Sequence, residues 1–373
     1  MISKKVVALC AAFGVALTGA SIAVPATAEP VANTYAIVGS DTIEDAVNGL
    51  VNGAVGSSVR AFAKGSTMGS FDATGSPCIV TKAFGARFGR PNGSSDGVKA
   101  LSRAIDGGTY TSTTTACPDN TARTITGYVD IARSSSGGTT NENGELLYIP
   151  FGRDAFAYAY HSGSTAAGIE TLTKAQLISF FDCSVRVLDG KTITPVVPQA
   201  GSGTRKDWLS KLGLTETTLV TVAESGCVVE GQEHDGNSLT VINSIMPMSA
   251  SKWVAYSTGM TASKIGSAVL AGIRDTGFSE DPVTGTGVNM VPNSAYYANS
   301  TWGRDTYVVV EYARVNPTDP KYDADLAAAV DPTISDSLAN TSSTLSSKAG
   351  YWKKKFGLLA PASSLTFRVA KTA

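Results

Sequence analysis

The stretch Tyr35-Ala36-Ile37-Val38-Gly39-Ser40-Asp41-Thr42 is typical of a short buried strand that turns, at a glycine, into the start of a helix. Apolar residues recur at helical spacing after it, and Asp41 or Thr42 supplies the N-cap. A helix start presents free backbone N–H groups and a partial positive charge, and hydroxyl side chains add hydrogen-bond donors. The stretch therefore predicts a strand–helix unit and a place where an anion can bind.

Three other segments combine glycine and hydroxyl residues in a similar way: Gly93-Ser94-Ser95-Asp96-Gly97, Ser134-Ser135-Ser136-Gly137 and Gly201-Ser202-Gly203-Thr204-Arg205. Apolar stripes at helical spacing follow the first and the third of these. Strands and helices alternate along the chain, which predicts a mainly parallel sheet with ligands outside the carboxyl ends of its strands. We expect all four segments at or near that edge, holding one anion together.

The first residues predict export from the cytoplasm. Lys4 and Lys5 precede an apolar run, and Ala26-Thr27-Ala28 offers a small-residue cleavage site, so residues 1–28 are expected to be a secretory signal peptide. No cysteine stands at the cleavage point, and no second long apolar run follows. We therefore expect a protein without a lipid anchor or membrane span that is secreted, extracellular or associated with the cell envelope.

The charge balance argues against one class of partner. Without residues 1–28 the chain keeps 28 basic and 31 acidic residues, a balance of −3. A surface of this charge does not coat nucleic acid, although helix starts and hydroxyls bind anions without net positive charge. The remaining 345 residues can bury a large core, and their length favours two lobes.

Four cysteines remain after the signal segment, an even number that predicts disulfides in an exported protein: Cys78, Cys117, Cys183 and Cys227. Three pairings are possible, and the sequential one is the simplest because each bridge then stays within one lobe. Each bridge would close a loop of about 40 residues and contribute roughly 4 kcal/mol. A zinc site is disfavoured, since the chain has no Cys-x-x-Cys and only two histidines, so no metal or other cofactor is expected.

Several longer motifs follow one another in a characteristic order: Gly-Ser-Asp-Thr at 39–42, Gly-Ser-Ser-Asp-Gly-Val-Lys-Ala-Leu at 93–101, Val-Asp-Ile-Ala-Arg-Ser-Ser at 129–135, Ile-Pro-Phe-Gly-Arg-Asp-Ala-Phe-Ala at 149–157, Leu-Thr-Lys-Ala-Gln-Leu at 172–177, Gly-Ser-Gly-Thr-Arg at 201–205 and a closing Tyr-Trp-Lys-Lys-Lys-Phe-Gly-Leu-Leu-Ala-Pro at 351–361. Over roughly residues 33–362 the chain resembles the phosphate-binding proteins of ABC importers. Each motif alone is weak, but their ordered set is fairly specific.

The resemblance implies an α/β fold of the type II periplasmic-binding-protein class. That fold has mixed sheets with helices on both faces, and two crossing strands join its two lobes. The crossings are expected near 149–160 and 306–310. Lobe I would comprise residues 29–150 plus 306–373, and lobe II residues 151–305.

The family holds one phosphate in the cleft between the lobes with backbone N–H groups and hydroxyls. Carried over by motif, the ligand residues are Ser40, Thr42, Ser94, Ser95, Ser134, Ser135, Ser202, Gly203 and Thr204. Asp41 joins this set as the acid of the first segment.

Two positions depart from the family pattern. Ser135 stands where well-known members have an Asp that accepts the proton of hydrogen phosphate and repels fully ionised sulfate. We therefore predict weaker discrimination between the two anions, which Ser135→Asp would restore. Pro198 stands where some members place a ligand-pairing Arg, and Arg133, Arg153 and Arg205 are the candidates to replace that guanidinium.

The resulting hypothesis is a monomeric, non-enzymatic solute-binding protein that captures an inorganic oxyanion, with phosphate as the leading ligand, for uptake through an ABC permease or for scavenging. One alternative is a secreted surface or matrix protein that kept the fold without phosphate binding. Another is a phosphate-ester hydrolase with Ser202 or Ser135 as nucleophile. Two histidines and no Gly-x-Ser-x-Gly elbow disfavour the hydrolase. Lys353-Lys354-Lys355 is interpreted as a solvated helix face.

Overall fold

A computed structural model describes residues 30, 34–53, 60–61, 68–112, 117, 122–219 and 227–372. The predicted signal peptide lies outside these residues. Among the described helices, none combines the length and apolar character that a bilayer crossing requires.

The strands are short apart from two long ones near the middle and the end of the chain. They are β1 Tyr35–Gly39, β2 Met68–Ser70, β3 Cys78–Ile79, β4 Phe88–Gly89, β5 Thr109–Tyr110, β6 Arg123–Thr124, β7 Ile131–Ser134, β8 Leu146–His161, β9 Val187–Leu188, β10 Lys191–Thr192, β11 Thr194–Pro198, β12 Val229–Gly231, β13 Ser244–Ser249, β14 Ala268–Ala271, β15 Val283–Thr284, β16 Val291–Pro292, β17 Gly303–Glu311 and β18 Phe367–Val369.

The helices fall between these strands and near the end of the chain. They are α1 Glu44–Asn48, α2 Ser94–Asp106, α3 Lys174–Phe181, α4 Gly203–Leu212, α5 Ala250–Thr258, α6 Ser294–Ala298, α7 Tyr312–Val315, α8 Ala324–Ala329 and α9 Ala349–Lys355. A π-helical turn, Gly49–Gly53, continues α1.

One mixed sheet organises the molecule, in the order β12-β11-β13-β8-β17-β7-β1-β2, and β14 and β18 also pair with β8. The outer strands run parallel: β1 with β2 and β7, and β11 with β12 and β13. The central pair β8 and β17 is antiparallel along the whole of β17. The predicted α/β class is confirmed, and the two expected crossing strands fall in β8 and β17.

Buried apolar residues pack on the two sides of this central strand pair. Two clusters consist, apart from Ala255, of buried residues from 35–151 and 308–369. Two further clusters consist of buried residues from 155–302. The lobe boundaries at 150/151 and 305/306 stay a prediction. The structure bonds the cysteines in sequential order: Cys78 to Cys117 and Cys183 to Cys227.

Local signals explain where two of the helices begin and end. The predicted capping box is present at α3: the Thr173 side chain accepts from the Gln176 N–H, and the Gln176 side chain accepts from the Thr173 N–H. α2 ends at Gly107, whose φ of 75° is left-handed and therefore suits glycine.

One lysine of the predicted solvated face is buried instead. Lys353 is 2% exposed and donates through Nζ to the carbonyls of Phe151 and Leu338, at 2.7 and 2.6 Å. Burial holds the pKa of its ammonium well below the usual range. Lys354 and Lys355 are exposed as expected.

Candidate functional site

Backbone contacts bring the four glycine- and hydroxyl-rich segments into one place. The N–H of Ser40 donates to the carbonyl of Arg133 at 3.1 Å, which joins the first segment to the strand that leads into the third. The N–H of Ser95 donates to the carbonyl of Gly201 at 3.2 Å, which joins the second segment to the fourth. The four segments therefore meet, but not at one edge of a mainly parallel sheet as predicted: β11, which precedes the fourth segment, runs antiparallel to β1 and β7, so the carboxyl ends of these strands point in opposite directions.

The second, third and fourth segments touch through their smallest side chains. The Oγ atoms of Ser94 and Ser135 lie 3.1 Å apart, and the Ser135 N–H donates to Ser94 Oγ at 3.0 Å. A Cβ atom on Gly203 would lie 2.5 Å from Ser135 Oγ and closer still to Ser94 Oγ. Glycine at position 203 thus allows α4 to approach the other two segments this closely.

A group of polar side chains, which we call the anion cluster, lies beside this contact and consists of Thr42, Thr204, Glu233, His234 and Arg304. None of the five is more than 5% exposed. The two threonine Oγ1 atoms are 3.3 Å apart, and His234 Nε2 lies 3.1 and 3.2 Å from them. Arg304 Nη2 donates to both hydroxyls, at 3.2 Å to Thr42 and 2.9 Å to Thr204.

The backbone assigns the ring proton of His234 in its neutral form. The Ser249 N–H donates to His234 Nδ1 at 3.1 Å, so Nδ1 is an acceptor and the proton lies on Nε2. His234 therefore presents a donor to the cluster, as does Arg304.

Arg304 is oriented by a buried carboxylate opposite it in the sheet. Arg304 on β17 and Asp154 on β8 are directly paired in the strand register, and Nε and Nη2 donate to Asp154 Oδ2 at 3.0 and 2.9 Å. Asp154 Oδ1 accepts from Ser249 Oγ at 2.8 Å and from the Ser251 N–H at 3.0 Å. The guanidinium also lies 4.0 Å from the centroid of the Phe156 ring. These contacts fix its planar fork.

Glu233 is the acidic member of the cluster. Its Oε1 accepts from the Thr42 hydroxyl at 3.2 Å and lies 3.2 Å from His234 Nε2. Burial alone would raise the pKa of this carboxyl, but hydrogen bonds from His234 and from the nearby Thr204 and Ser202 hydroxyls hold the pKa below its usual range. Glu233 is therefore a carboxylate at neutral pH.

The three arginines proposed from the sequence make their contacts away from the anion cluster. All three guanidinium nitrogens of Arg133 donate to protein acceptors, including the carbonyls of Ser40, Gly39 and Phe71. Arg205 binds the carboxylates of Glu216 and Glu230. Arg153 pairs with Asp305.

The guanidinium at the cluster is thus Arg304, which sequence reasoning did not select. Glu233, His234 and Asp154 were not selected either. Their only sequence signals are an acid next to one of two histidines and an acid on the first crossing strand.

The remaining predicted residues surround the cluster in different roles. Ser40 Oγ accepts from the Thr42 N–H at 3.2 Å, and Ser202 Oγ caps α4 by accepting from the Arg205 N–H at 3.0 Å. Ser134 Oγ donates to the Ser136 carbonyl at 2.6 Å, while Ser95 is exposed.

Asp41 faces a second group of buried charges, next to the anion cluster along the chain. Lys252 on α5 lies 3.3 Å from Asp41 Oδ1 and 2.6 Å from Asp45 Oδ2, and this pairing lowers the pKa of the Asp45 carboxyl against the effect of burial. Glu44 accepts from the Ala73 N–H. Burial and the charge of Asp41 raise the pKa of the Glu44 carboxyl to about 8.

Glu44→Gln is expected to remove a pH dependence of stability. The ordinary pKa of Glu44 is 4.5 and its folded pKa is about 8, so between these values folding takes up a proton and stability falls as pH rises. The difference between Glu44→Gln and wild type should then grow by about 1 kcal/mol per pH unit between about pH 5 and 8. Urea unfolding across this range measures it, and parallel curves for the two proteins would contradict the assignment.

No protein-family model matches the chain, and a search of curated proteins finds no relative. Its fold is similar to that of solved structures. An ABC-type phosphate transport receptor from Vibrio cholerae is 14% identical over 88% of this chain and 100% of its own, with a TM-score of 0.48. A phosphate-binding protein from Stenotrophomonas maltophilia is 12% identical over 89% and 92%, with a TM-score of 0.47. PstS from Borrelia burgdorferi is 14% identical over 89% and 100%, with a TM-score of 0.42.

Proposed function

We propose that this protein is a solute-binding protein that holds an inorganic oxyanion, with phosphate as the leading candidate, at the anion cluster. The observation that carries the proposal is that donors from distant parts of the chain already converge on an anion. The Glu233 carboxylate accepts from the Thr42 hydroxyl and lies 3.2 Å from His234 Nε2, and hydrogen bonding lowers its pKa against the effect of complete burial. Thr204 and Arg304 join the same group by hydrogen bonds to the Thr42 hydroxyl. A site that stabilises one buried carboxylate this strongly has the donors that an oxyanion needs.

The biological setting of the proposal comes from the chain's first residues and its motifs. With a signal peptide over 1–28, the protein would act outside the cytoplasm as a monomer, delivering its ligand to an ABC permease or scavenging it. Intact-mass analysis of the exported protein should show a chain that begins at Glu29 without a lipid.

Hydrolysis is the weaker proposal, because the histidine of the site is a donor. A serine or threonine nucleophile needs a base that accepts its proton. His234 Nδ1 is occupied by the Ser249 N–H, and Nε2 carries the proton that faces Thr42 and Thr204. The geometry therefore favours binding over nucleophilic attack.

A second candidate function is a surface or matrix protein without an exogenous anion. The observation that favours it is that Glu233 already engages the donors of the cluster. Calorimetric titration of the protein with phosphate, sulfate, arsenate and a phosphate ester separates the two. A binding heat that saturates with one of these anions supports the solute-binding protein. The absence of binding heat with all four ligands up to millimolar concentration supports the second candidate.

Thr204→Val is expected to weaken phosphate binding by about 1.5–3 kcal/mol, the range for a hydrogen bond to a charged group. The change removes one hydroxyl at nearly constant volume from a side chain that contacts Thr42, His234 and Arg304. Thr192→Val, on the exposed strand β10, is the matched control and should bind as wild type does. Equal affinities in the two variants would remove Thr204 from the ligand site.

A further inference from the structure

Glu233 makes contacts that an incoming oxyanion would also need. Its Oε1 takes the Thr42 hydroxyl at 3.2 Å and lies at the same distance from His234 Nε2. Its side chain is fully buried, so water does not compete for these contacts. A hydroxyl or imidazole donates each of its hydrogens to one acceptor at full strength, so a ligand on these donors displaces Glu233 from them.

Electrostatic repulsion also prevents Glu233 and an external anion from occupying the site together. The Glu233 carboxylate and a phosphate or sulfate ion are both negative, and like charges in one buried site repel strongly. Arg304 offers one cation to the cluster, but Asp154 at 2.9 Å already balances it. Among the described residues of the cluster, no unbalanced cation therefore remains to offset a second anion beside Glu233.

We propose that Glu233 is an internal competitor of the ligand, a carboxylate that fills the oxyanion site until an external anion displaces it. This inference rests on the proposed function, since it describes the occupancy of the same site. The residue then determines specificity, because only an anion that binds the donors better than a carboxylate displaces it.

The position of Glu233 in the chain allows this exchange. The residue follows β12 at the edge of the sheet and precedes a turn of 3₁₀ helix, Gly236–Ser238, so it is not held inside a regular element. Its N–H is fixed by Gln199 Oε1 at 2.7 Å. Oε2 has no hydrogen-bond partner among the residues that the structure describes. The backbone is therefore anchored, while one side-chain oxygen is held and the other is not.

The opposite role for Glu233 makes the opposite prediction. A carboxylate that stayed in place and accepted the proton of hydrogen phosphate would help binding, and its removal would weaken affinity. A competitor lowers the apparent affinity, and its removal strengthens binding in proportion to the occupancy it gave up. The sign of the effect therefore distinguishes the two roles.

The test is a calorimetric titration with inorganic phosphate at pH 7 of the wild-type chain, Glu233→Ala, Glu233→Gln and the control Glu142→Ala, an exposed glutamate. We expect Glu233→Ala to bind at least tenfold more tightly than wild type, and Glu142→Ala to match wild type. Glu233→Gln should also gain affinity, because a neutral amide competes less well for the same donors. Thermal unfolding verifies that each variant is folded. If Glu233→Ala does not fold, the comparison of Glu233→Gln with wild type is the test.

The outcomes separate this inference from the proposed function. Tighter binding in the Glu233 variants, including binding where wild type shows none, supports the competitor. A wild type that binds phosphate as tightly as or more tightly than both variants overturns the competitor and leaves the proposed function standing. No binding by any of the four folded proteins up to millimolar phosphate overturns the proposed function itself.

Discussion

Replacing Arg304 with methionine is expected to lower the free energy of unfolding by about 3–5 kcal/mol and to abolish oxyanion binding. Asp154 is 0% exposed and receives two hydrogen bonds from this guanidinium. Without Arg304 its charge stays buried with Ser249 and Ser251 as its remaining donors among the described residues. The anion cluster also loses the guanidinium that donates to both threonine hydroxyls. Urea unfolding and phosphate titration measure the two losses.

A double variant separates the two effects of this change. In Arg304→Met with Asp154→Asn, the carboxylate that received the hydrogen bonds of the guanidinium is neutral, so most of the stability should return. Binding should not return, because the guanidinium is still missing. A loss of less than 1 kcal/mol in the single variant would contradict the buried pair as the cause.

The second large effect is expected at Lys252, which links α5 to the first helix. Its Nζ lies between Asp41 and Asp45. The side chains of Lys252 and Asp41 are at most 3% exposed, and that of Asp45 is 14% exposed. Lys252→Met should cost about 3–5 kcal/mol of unfolding free energy at pH 7.5, because two buried carboxylates lose their cation. Lys191→Met, on the exposed strand β10, should leave the stability unchanged within about 0.5 kcal/mol.

The Lys252 variant should also acquire a pH dependence. Without the ammonium, burial raises the folded pKa of the Asp45 carboxyl, so this group takes up a proton on folding. The loss of stability should then shrink as pH falls toward 4 and be largest above pH 7. Unfolding curves at pH 4.5 and 7.5 measure the difference, and an equal loss at both would show that the lysine acts by packing alone.

Local patterns in the sequence were sufficient for several elements that build the site, although the N-cap predicted at Asp41 or Thr42 was wrong: α1 begins after Ile43, without a side-chain cap. The strand before Gly39, the helix start at Ser202 and the capping box at Thr173 each depend on residues within one or two turns of one another. These features follow from short-range geometry, which a sequence displays directly.

The tertiary structure alone decided which charged side chains belong to the anion cluster. Arg304 is 262 residues from Thr42, and only the register of β17 against β8 places it opposite Asp154 and beside Thr204. Arg133 lies much closer to the predicted segments, yet its guanidinium is taken up by backbone carbonyls on β1 and after β2. Lys353 is buried although Lys354 and Lys355, the next two residues, are exposed. Side-chain direction and burial at these positions depend on strand register and packing between distant segments, which no local pattern in the sequence encodes.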